Sequence, residues 1–151
     1  MVWGYMGWEG VGVLTEVQGI MDAEQYCEIL DGGVAESFEK LEMAEEERYF
    51  QQDNDPKHRS KRATKWFEDN QINVLGWSPQ SPDLNPIEHL WVHLKDRLKE
   101  YPRPARGVHE LWERVEEQWN QITPETCQKL IESIPRRLQA VIKAKGGHTK
   151  Y

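Results

Sequence analysis

The chain passes through two acidic turns, Phe50-Gln51-Gln52-Asp53-Asn54-Asp55-Pro56-Lys57-His58 and Ser81-Pro82-Asp83-Leu84-Asn85-Pro86-Ile87-Glu88. The first turn follows a short apolar and aromatic run that is typical of a strand, and the second leads into a strongly periodic helix. Each turn therefore places a carboxylate at the end of a regular element, at Asp53 and at Glu88, with 34 residues between the two. Metal-dependent phosphoryl-transfer sites are commonly built from carboxylates placed in this way.

The composition indicates one domain with a real core. A chain of 151 residues is long enough to bury one, and its seven tryptophans argue against disorder. Cys27 and Cys127 form no CxxC pair, so the sequence indicates neither a disulfide framework nor a zinc module. There is no basic leader and no apolar run long enough to span a bilayer. We therefore expect a soluble, intracellular protein without a signal peptide and with no membrane partner.

Charge is distributed unevenly along the chain. The formal net charge is −7, but residues 22–47 carry ten acids against one base, so the remainder is slightly positive. Basic residues cluster after each acidic turn, at Lys57, Arg59, Lys61, Arg62 and Lys65 and at Lys95, Arg97, Lys99, Arg103 and Arg106. Such clusters suit contacts with phosphate groups, although solvated helix faces carry the same charges.

The order of the predicted elements indicates an α/β layered domain. Strands are predicted over 2–6, 11–17, 48–52 and 72–75, and helices over 23–30, 34–43, 57–70 and 86–101, with further helices after the break at 102–107. Gly32 and Gly33 are expected to end or bend the first helix. Asp22 and Asn85 are predicted helix N-caps, and Pro86 occupies the favoured first helical position.

Asp53 and Glu88 are candidate ligands for a divalent cation, with Asp55 and Asp83 as neighbours. Mg²⁺ prefers oxygen ligands and is usually held by a few carboxylates together with substrate phosphate. In a two-metal site one ion activates the attacking oxygen and the other stabilises the leaving oxygen. A structural explanation is also open, because Glu88 can be the N3 residue of a capping box and Asp53 an Asx-turn former.

Four stretches carry a resemblance to a known family: residues 50–58, residues 78–91, Val2-Trp3-Gly4 and Gly10-Val11-Gly12. They closely resemble the catalytic core of mariner-superfamily (Tc/mariner-type) DDE transposases. The resemblance implies an α/β, ribonuclease-H-like fold of the DDE transposase/integrase kind. It also implies that Asp53 is the second catalytic aspartate and that Glu88 is the final glutamate. The residues that would shape this site are Asn54, Pro56, His58, Asn85 and Pro86.

The same resemblance implies that the chain is N-terminally truncated. The family's first catalytic aspartate lies on a strand ahead of the Val-Trp-Gly strand, so the first strand and one metal ligand are expected to be missing. Residues 1–101 are interpreted as a truncated DDE catalytic core. Residues 102–151 are interpreted as a helical C-terminal region of the same domain with a basic tail. Mg²⁺ or Mn²⁺ is expected to bind weakly to the remaining pair of carboxylates.

The activity implied by the resemblance is metal-dependent DNA strand cleavage and strand transfer in cut-and-paste transposition in the nucleus. Its partners would be transposon ends and target DNA, and the chain could form a homodimer. Contacts with DNA phosphates are expected at Lys57, Arg59, Lys61, Arg62, Lys95 and Arg97. Two alternatives stay open. One is a catalytically inactive transposase remnant that at most binds DNA or a protein partner, and the other is an interaction module without nucleic-acid binding.

Overall fold

Ten helices and strands make up the regular structure of residues 1–44, 48–78 and 81–145, which the computed structural model describes. They are β1 (Val2–Gly7), β2 (Gly10–Glu16), α1 (Ala23–Lys40), β3 (Tyr49–Phe50), α2 (Lys61–Asp69), β4 (Asn73–Val74), α3 (Pro86–Lys99), α4 (Val108–Asn120), α5 (Pro124–Glu132) and α6 (Ile134–Lys143). A 3-10 turn at Pro82–Leu84 precedes α3. In these ranges no helix has both the length and the apolar character needed to cross a bilayer.

The contacts divide the chain into two compact units. The first holds Met1–Tyr5 and Gly12–Ser81, and the second holds Met6–Val11 and the residues from Pro82 onward. The predicted boundary after Tyr101 is a different division and stays a prediction. The end of the predicted basic tail, at 146–151, lies outside the described residues.

The base of the β1–β2 hairpin belongs to the first unit. The two strands pair as the sequence predicts, and the Val17 N–H donates to the Met1 carbonyl at 2.8 Å. Gly12 lies against Ser37 of α1 so closely that a Cβ would collide with the serine hydroxyl. Ser37 is fully buried and its hydroxyl accepts a hydrogen bond from the Val13 N–H at 3.0 Å. The backbone of β2 at Gly12 and Val13 therefore contacts the Ser37 side chain of α1 directly.

α1 is one continuous helix, so the expectation that Gly32 and Gly33 end or bend it is wrong. Gly33 is buried, and a Cβ there would stand only 2.8 Å from the Trp3 ring. Glycine at this position lets the tryptophan pack against the helix, and that packing outweighs the cost of about 1 kcal/mol that glycine imposes on a helix interior. Asp22 caps the helix as predicted, accepting two backbone N–H bonds at 2.9 Å.

Aromatic rings fill the core of the first unit beside α1. The Tyr5 ring packs edge-on against Phe38 at 5.7 Å and stacks on Phe50 at 6.0 Å. Phe50 in turn contacts Phe67 of α2 at 5.1 Å. The same cluster buries Tyr26, Cys27, Leu30, Val34, Leu41 and Ala63. Since each large apolar side chain contributes about 1.5–3 kcal/mol on burial, this cluster holds the strands and both helices together.

β3 and β4 form a short parallel pair with α2 between them in sequence. Tyr49 pairs with Asn73 and Phe50 with Val74, so the strands are shorter than the predicted 48–52 and 72–75. The pairing ends with a hydrogen bond from the Leu75 N–H to the Phe50 carbonyl at 2.8 Å. A helical crossover between parallel strands is the unit from which α/β domains are built.

α2 begins at Lys61, later than the predicted start at Lys57. Ser60 is its N-cap, and the serine hydroxyl accepts from the Ala63 N–H at 3.1 Å. Residues 57–59 form a turn instead of helix, because their side chains and backbone bond to residues 52–55. The helical periodicity of the sequence includes residues 57–59, but hydrogen bonds to the acidic turn hold these residues in a turn. The helix was therefore predicted to begin too early.

The second unit is built around α3. This helix packs against α4 and α5, and α5 packs against α6. Leu90 and Leu94 of α3 are buried as the apolar stripe predicts, and Trp91 stacks on the buried Trp119 at 5.1 Å. Arg97 links α3 to α4 through a hydrogen bond to the Gln118 Oε1 at 2.6 Å. α3 is therefore held on its buried side, and its N-terminal turn carries Glu88.

Candidate functional site

Asp53 follows β3 after Gln51 and Gln52, and its Oδ1 accepts the hydrogen bonds of the carboxylate. Oδ1 lies 2.6 Å from His58 Nδ1 and accepts the Asp55 N–H at 3.1 Å. Within the described residues no donor reaches Oδ2, and the side chain is 55% exposed. The predicted Asx turn is therefore present, and Oδ2 takes no part in it.

His58 is mostly buried and serves Asp53 as a neutral donor. Burial lowers the pKa of its imidazole, although the Asp53 carboxylate opposes this shift. A carboxylate only accepts hydrogen bonds, so the proton lies on Nδ1. Nε2 is buried and finds no hydrogen-bond partner in the described part of the chain. A neutral ring beside Asp53 holds the carboxylate in place without adding a positive charge that would repel a cation.

The His58 ring rests on Tyr26 of α1, with 4.2 Å between ring centroids. The Tyr26 hydroxyl donates to the Gln52 Oε1 at 2.5 Å, and the Gln52 Nε2 donates to the His58 carbonyl at 3.2 Å. Neither Tyr26 nor Gln52 was recognised from the sequence as part of the site. Tyr26 lies far from the turn in sequence and has only the helical spacing of a core residue, so no local signal marks it.

The other polar side chains of the first acidic turn, Asn54 and Asp55, make hydrogen bonds that hold the turn in shape. Asn54 donates to the Trp77 carbonyl at 2.8 Å and accepts from Arg59 at 3.1 Å, which ties the turn to the loop after β4. The Asp55 carboxylate accepts the Lys57 backbone N–H at 3.0 Å and pairs with its ammonium group at 2.6 Å. That lysine lowers the pKa of the Asp55 carboxyl. Asp55 therefore stabilises the turn.

Glu88 lies in the first turn of α3, in the second unit, and its side chain is exposed. Among the described residues, no hydrogen bond or ion pair engages its carboxylate. Asn85 occupies the predicted N-cap position before Pro86, and its side chain makes no capping hydrogen bond. The Asn85 N–H donates to the Pro82 carbonyl at 3.0 Å. Glu88 therefore does not close a capping box.

The Asn85 side chain is itself unusual. Its Oδ1 is buried and has no donor in the described part of the chain, although such groups usually have a partner. Asn85 is 6% exposed and lies between the 3-10 turn and α3. It therefore helps to set where α3 begins through packing and its backbone. The side chain of the neighbouring Asp83 lies outside the described residues.

The donor chemistry of these carboxylates fits a divalent cation. Carboxylate oxygens are the ligands that Mg²⁺ and Mn²⁺ prefer, and both Asp53 and Glu88 have oxygen atoms exposed to solvent. Over residues 1–44, 48–78 and 81–145, no group of three or more His, Cys, Asp or Glu side chains is placed to hold a metal.

The basic residues fall into two groups. Four of the six expected DNA contacts have partners within their own unit: Lys57 with Asp55, Arg59 with Asn54, Arg62 with Glu24, and Arg97 with Gln118 and Gln121. Lys61 on α2 and Lys95 on α3 are exposed and pair with no acid in the described ranges. Of the six, these two lysines are therefore the side chains without an internal partner in the described ranges, while Arg59 and Arg97 bond neutral amides and keep their charge.

The fold is shared with DDE transposase domains. The chain superimposes on the catalytic domain of Mos1 transposase, in a structure with raltegravir and Mg, with a TM-score of 0.86 at 18% identity, over 99% of this chain and 76% of that one. It superimposes on Mos1 transposase in a paired-end complex with the left transposon end with a TM-score of 0.83 at 18% identity, over 97% of this chain and 44% of that one. The predicted ribonuclease-H-like α/β fold is confirmed.

Residues 34–112 match the family model for DDE superfamily endonucleases, and this range includes both Asp53 and Glu88. All of the chain aligns at 41% identity with the transposable element Tcb1 transposase of Caenorhabditis briggsae. It spans about half the length of that curated relative, 54%. The chain therefore belongs to the DDE superfamily endonucleases, and the predicted relationship to Tc/mariner-type transposases is confirmed.

Proposed function

We propose that this chain is the metal-binding part of a transposase-type DDE endonuclease, which cleaves DNA strands and transfers them in cut-and-paste transposition. The observation that carries the proposal is the Asp53 carboxylate. It lies in the turn after β3, with Oδ1 held by His58, with no donor to Oδ2 among the described residues and with a side chain that is 55% exposed. Asp53 and Glu88 also fall within the matched family range.

Asp53 and Glu88 are the proposed ligands of Mg²⁺ or Mn²⁺. When bound, such an ion stabilises negative charge on the attacking and leaving oxygens of a phosphoryl transfer. The chain's own contribution is to present carboxylates at fixed positions: His58 orients Asp53, and the helix start at Asn85 and Pro86 presents Glu88. Asn54 and Pro56 maintain the turn that contains Asp53.

DNA is the proposed partner, as transposon ends and target, with a second copy of the chain in the assembly and the nucleus as the place of action. Lys61 and Lys95 would contact phosphates directly because no acid neutralises them among the described residues. Lys57, Arg59, Arg62 and Arg97 would do so after exchanging an internal partner for a phosphate. Such contacts are independent of sequence and sensitive to salt.

Titration with Mn²⁺ tests the ligands directly. We expect Asp53→Ala and Glu88→Ala each to weaken Mn²⁺ binding about tenfold or more, since each removes a carboxylate ligand. Asp69→Ala is the matched control, because this exposed aspartate pairs with Lys65 on the surface of α2. Free Mn²⁺ is measured by electron paramagnetic resonance. Unchanged affinity in both ligand variants would contradict the assignment.

A nicking assay on supercoiled plasmid separates the active endonuclease from the inactive remnant. We expect Mn²⁺-dependent nicking that disappears in Glu88→Gln, which keeps the shape of the side chain and removes its charge. Absence of nicking, with Mn²⁺ and DNA still bound, would instead support the remnant that binds DNA without cleaving it.

A further inference from the structure

We propose that Tyr26 and Gln52 are positioning residues that set the metal-binding geometry of Asp53 through His58. The inference rests on the proposed function, since it gives these two residues a task at the proposed metal ligand. Neither residue touches the open oxygen of Asp53. Their effect passes through one imidazole ring and one backbone carbonyl.

The contacts form a continuous path from α1 to the carboxylate. The Tyr26 hydroxyl donates to Gln52 at 2.5 Å, and the Gln52 amide donates to the His58 carbonyl at 3.2 Å. The Tyr26 ring also supports the His58 ring at 4.2 Å. His58 Nδ1 then holds Asp53 Oδ1 at 2.6 Å. His58 is thus fixed both at its backbone and at its ring.

The orientation of the Gln52 amide follows from its two partners. The His58 carbonyl only accepts hydrogen bonds, so the Gln52 NH₂ group must face it. The amide oxygen is then left facing Tyr26, and the tyrosine hydroxyl must be the donor. Each polar group in the path therefore has one fixed role, because a flipped amide would place its oxygen against the His58 carbonyl and lose that hydrogen bond. Hydrogen bonds with such fixed roles favour one arrangement of the path.

Packing alone does not explain the Tyr26 hydroxyl. Tyr26 is 1% exposed, and a phenylalanine would fill the same space beside the core. A buried hydroxyl disfavours folding unless it has a partner, so its presence is balanced here by Gln52. The Tyr26 hydroxyl fixes the orientation of the Gln52 amide, and that amide holds the backbone of His58 in place.

The consequence for metal binding is a carboxylate with one rotational position. With Oδ1 tied to His58, the orientation of the carboxylate, and with it the position of Oδ2, is fixed before any cation arrives. A ligand that is already oriented loses less conformational freedom on binding. Groups behind metal ligands typically change affinity by about 10–100-fold when removed. Tyr26 and Gln52 act one step further away, so a smaller effect is expected.

The test is Tyr26→Phe in the 151-residue chain, with Tyr49→Phe as the matched control. Tyr49 is an exposed tyrosine of β3, so losing its hydroxyl leaves the path intact. We expect Tyr26→Phe to weaken Mn²⁺ binding about three- to tenfold by electron paramagnetic resonance. We also expect the ¹⁵N signals of the metal-free His58 ring to lose their Nδ1–H pattern, with thermal unfolding showing that the fold is retained.

Gln52→Leu provides the second arm. Because Gln52→Leu removes the bond to Tyr26 and also the bond to the His58 carbonyl, the double variant should bind Mn²⁺ about as weakly as Gln52→Leu alone. A Tyr26→Phe chain with wild-type Mn²⁺ affinity and wild-type His58 signals overturns the inference, provided that Asp53→Ala weakens binding as expected. If Asp53→Ala leaves binding unchanged, the proposed function itself fails and the inference fails with it.

Discussion

Single buried polar groups in the first unit join its elements by hydrogen bonds as well as by packing. Ser37 is fully buried, donates to the Gly33 carbonyl at 2.5 Å and accepts from the Val13 N–H at 3.0 Å. One hydroxyl therefore joins the hairpin to α1 at the point where Gly12 comes closest. No local sequence signal marks this contact, because a serine within a helical pattern is most often exposed.

We expect Ser37→Ala to lower the free energy of unfolding by about 1–3 kcal/mol, because it leaves the buried Val13 N–H without its acceptor. Urea denaturation measures the change. Ser60 is a suitable comparison, since it is a helix cap nearer the surface and its replacement by alanine should cost about 1 kcal/mol. A Ser37 variant as stable as the wild type would show that water or a backbone shift replaces the hydroxyl.

For the helices and strands, the sequence predicted which elements exist and whether each is helix or strand better than it predicted where each begins and ends. Both hairpin strands, the strand before Asp53 and the helix after Asn85 are found close to their predicted places. The errors have tertiary causes. The glycine pair in α1 was interpreted as a break because the Trp3 contact is invisible in sequence. The start of α2 was placed at Lys57 because periodicity does not register the hydrogen bonds of the acidic turn.

The two glycines of α1 offer a matched comparison. We expect Gly32→Ala to stabilise the chain by about 0.5–1 kcal/mol, because it is exposed and a Cβ there meets nothing within 4 Å. Gly33→Ala should destabilise it by about 1 kcal/mol, because the Cβ would push against Trp3. Thermal unfolding of both variants measures the difference. Equal stability of the two would mean that the Trp3 ring moves aside freely.

The loop before α4 is held to the helix by an ion pair and a hydrogen bond to the Glu110 carboxylate, so its attachment depends on pH. Hydrogen bonds from Arg103 and from the Arg106 backbone lower the pKa of the Glu110 carboxyl to about 2, from an ordinary value of 4.5. A carboxyl with a lowered folded-state pKa stabilises the fold above its unfolded pKa, and this contribution is lost as pH falls toward the folded pKa. The sensitive window is therefore pH 4.5 down to about 2.

We expect Glu110→Gln to lose less stability than the wild type across that window, because the glutamine does not titrate. Urea unfolding at pH 6, 4 and 3 measures this. Glu116→Gln is the control, since Glu116 is exposed on the same helix and pairs with no base in the described ranges. Parallel pH profiles for wild type and Glu110→Gln would contradict the expectation.

For the whole molecule, the sequence motifs identified the family, whereas the two carboxylate ligands and the basic DNA contacts stay predictions. The supports behind Asp53 could not be predicted, because Tyr26 and Gln52 meet only when α1 docks beside the acidic turn. Likewise, the sequence could not tell which bases have internal partners. Arg62 and Lys61 are neighbours with the same formal charge, yet Arg62 pairs with Glu24 at 3.0 Å.

That difference predicts unequal contributions to DNA binding. We expect Lys61→Ala to reduce the slope of log affinity against log salt by about 1, because one phosphate contact is lost. Arg62→Ala should reduce it less, since Arg62 must first leave Glu24. Lys129→Ala, on the exposed side of α5, is the control. Fluorescence anisotropy with duplex DNA between 50 and 200 mM salt measures the slopes, and equal slopes for all three variants would refute the assignment of Lys61.

The close approach of Trp3 to α1 also bears on how the chain would respond to random variation. In a saturation library of positions 32 and 33 selected for folded protein, position 32 should accept most residues, because nothing lies within reach of its side chain. Position 33 should return glycine almost alone, unless Trp3 changes at the same time. The two neighbouring glycines, Gly32 and Gly33, would therefore give opposite enrichment profiles. The second profile would identify residue 3 as its partner from sequence counts alone.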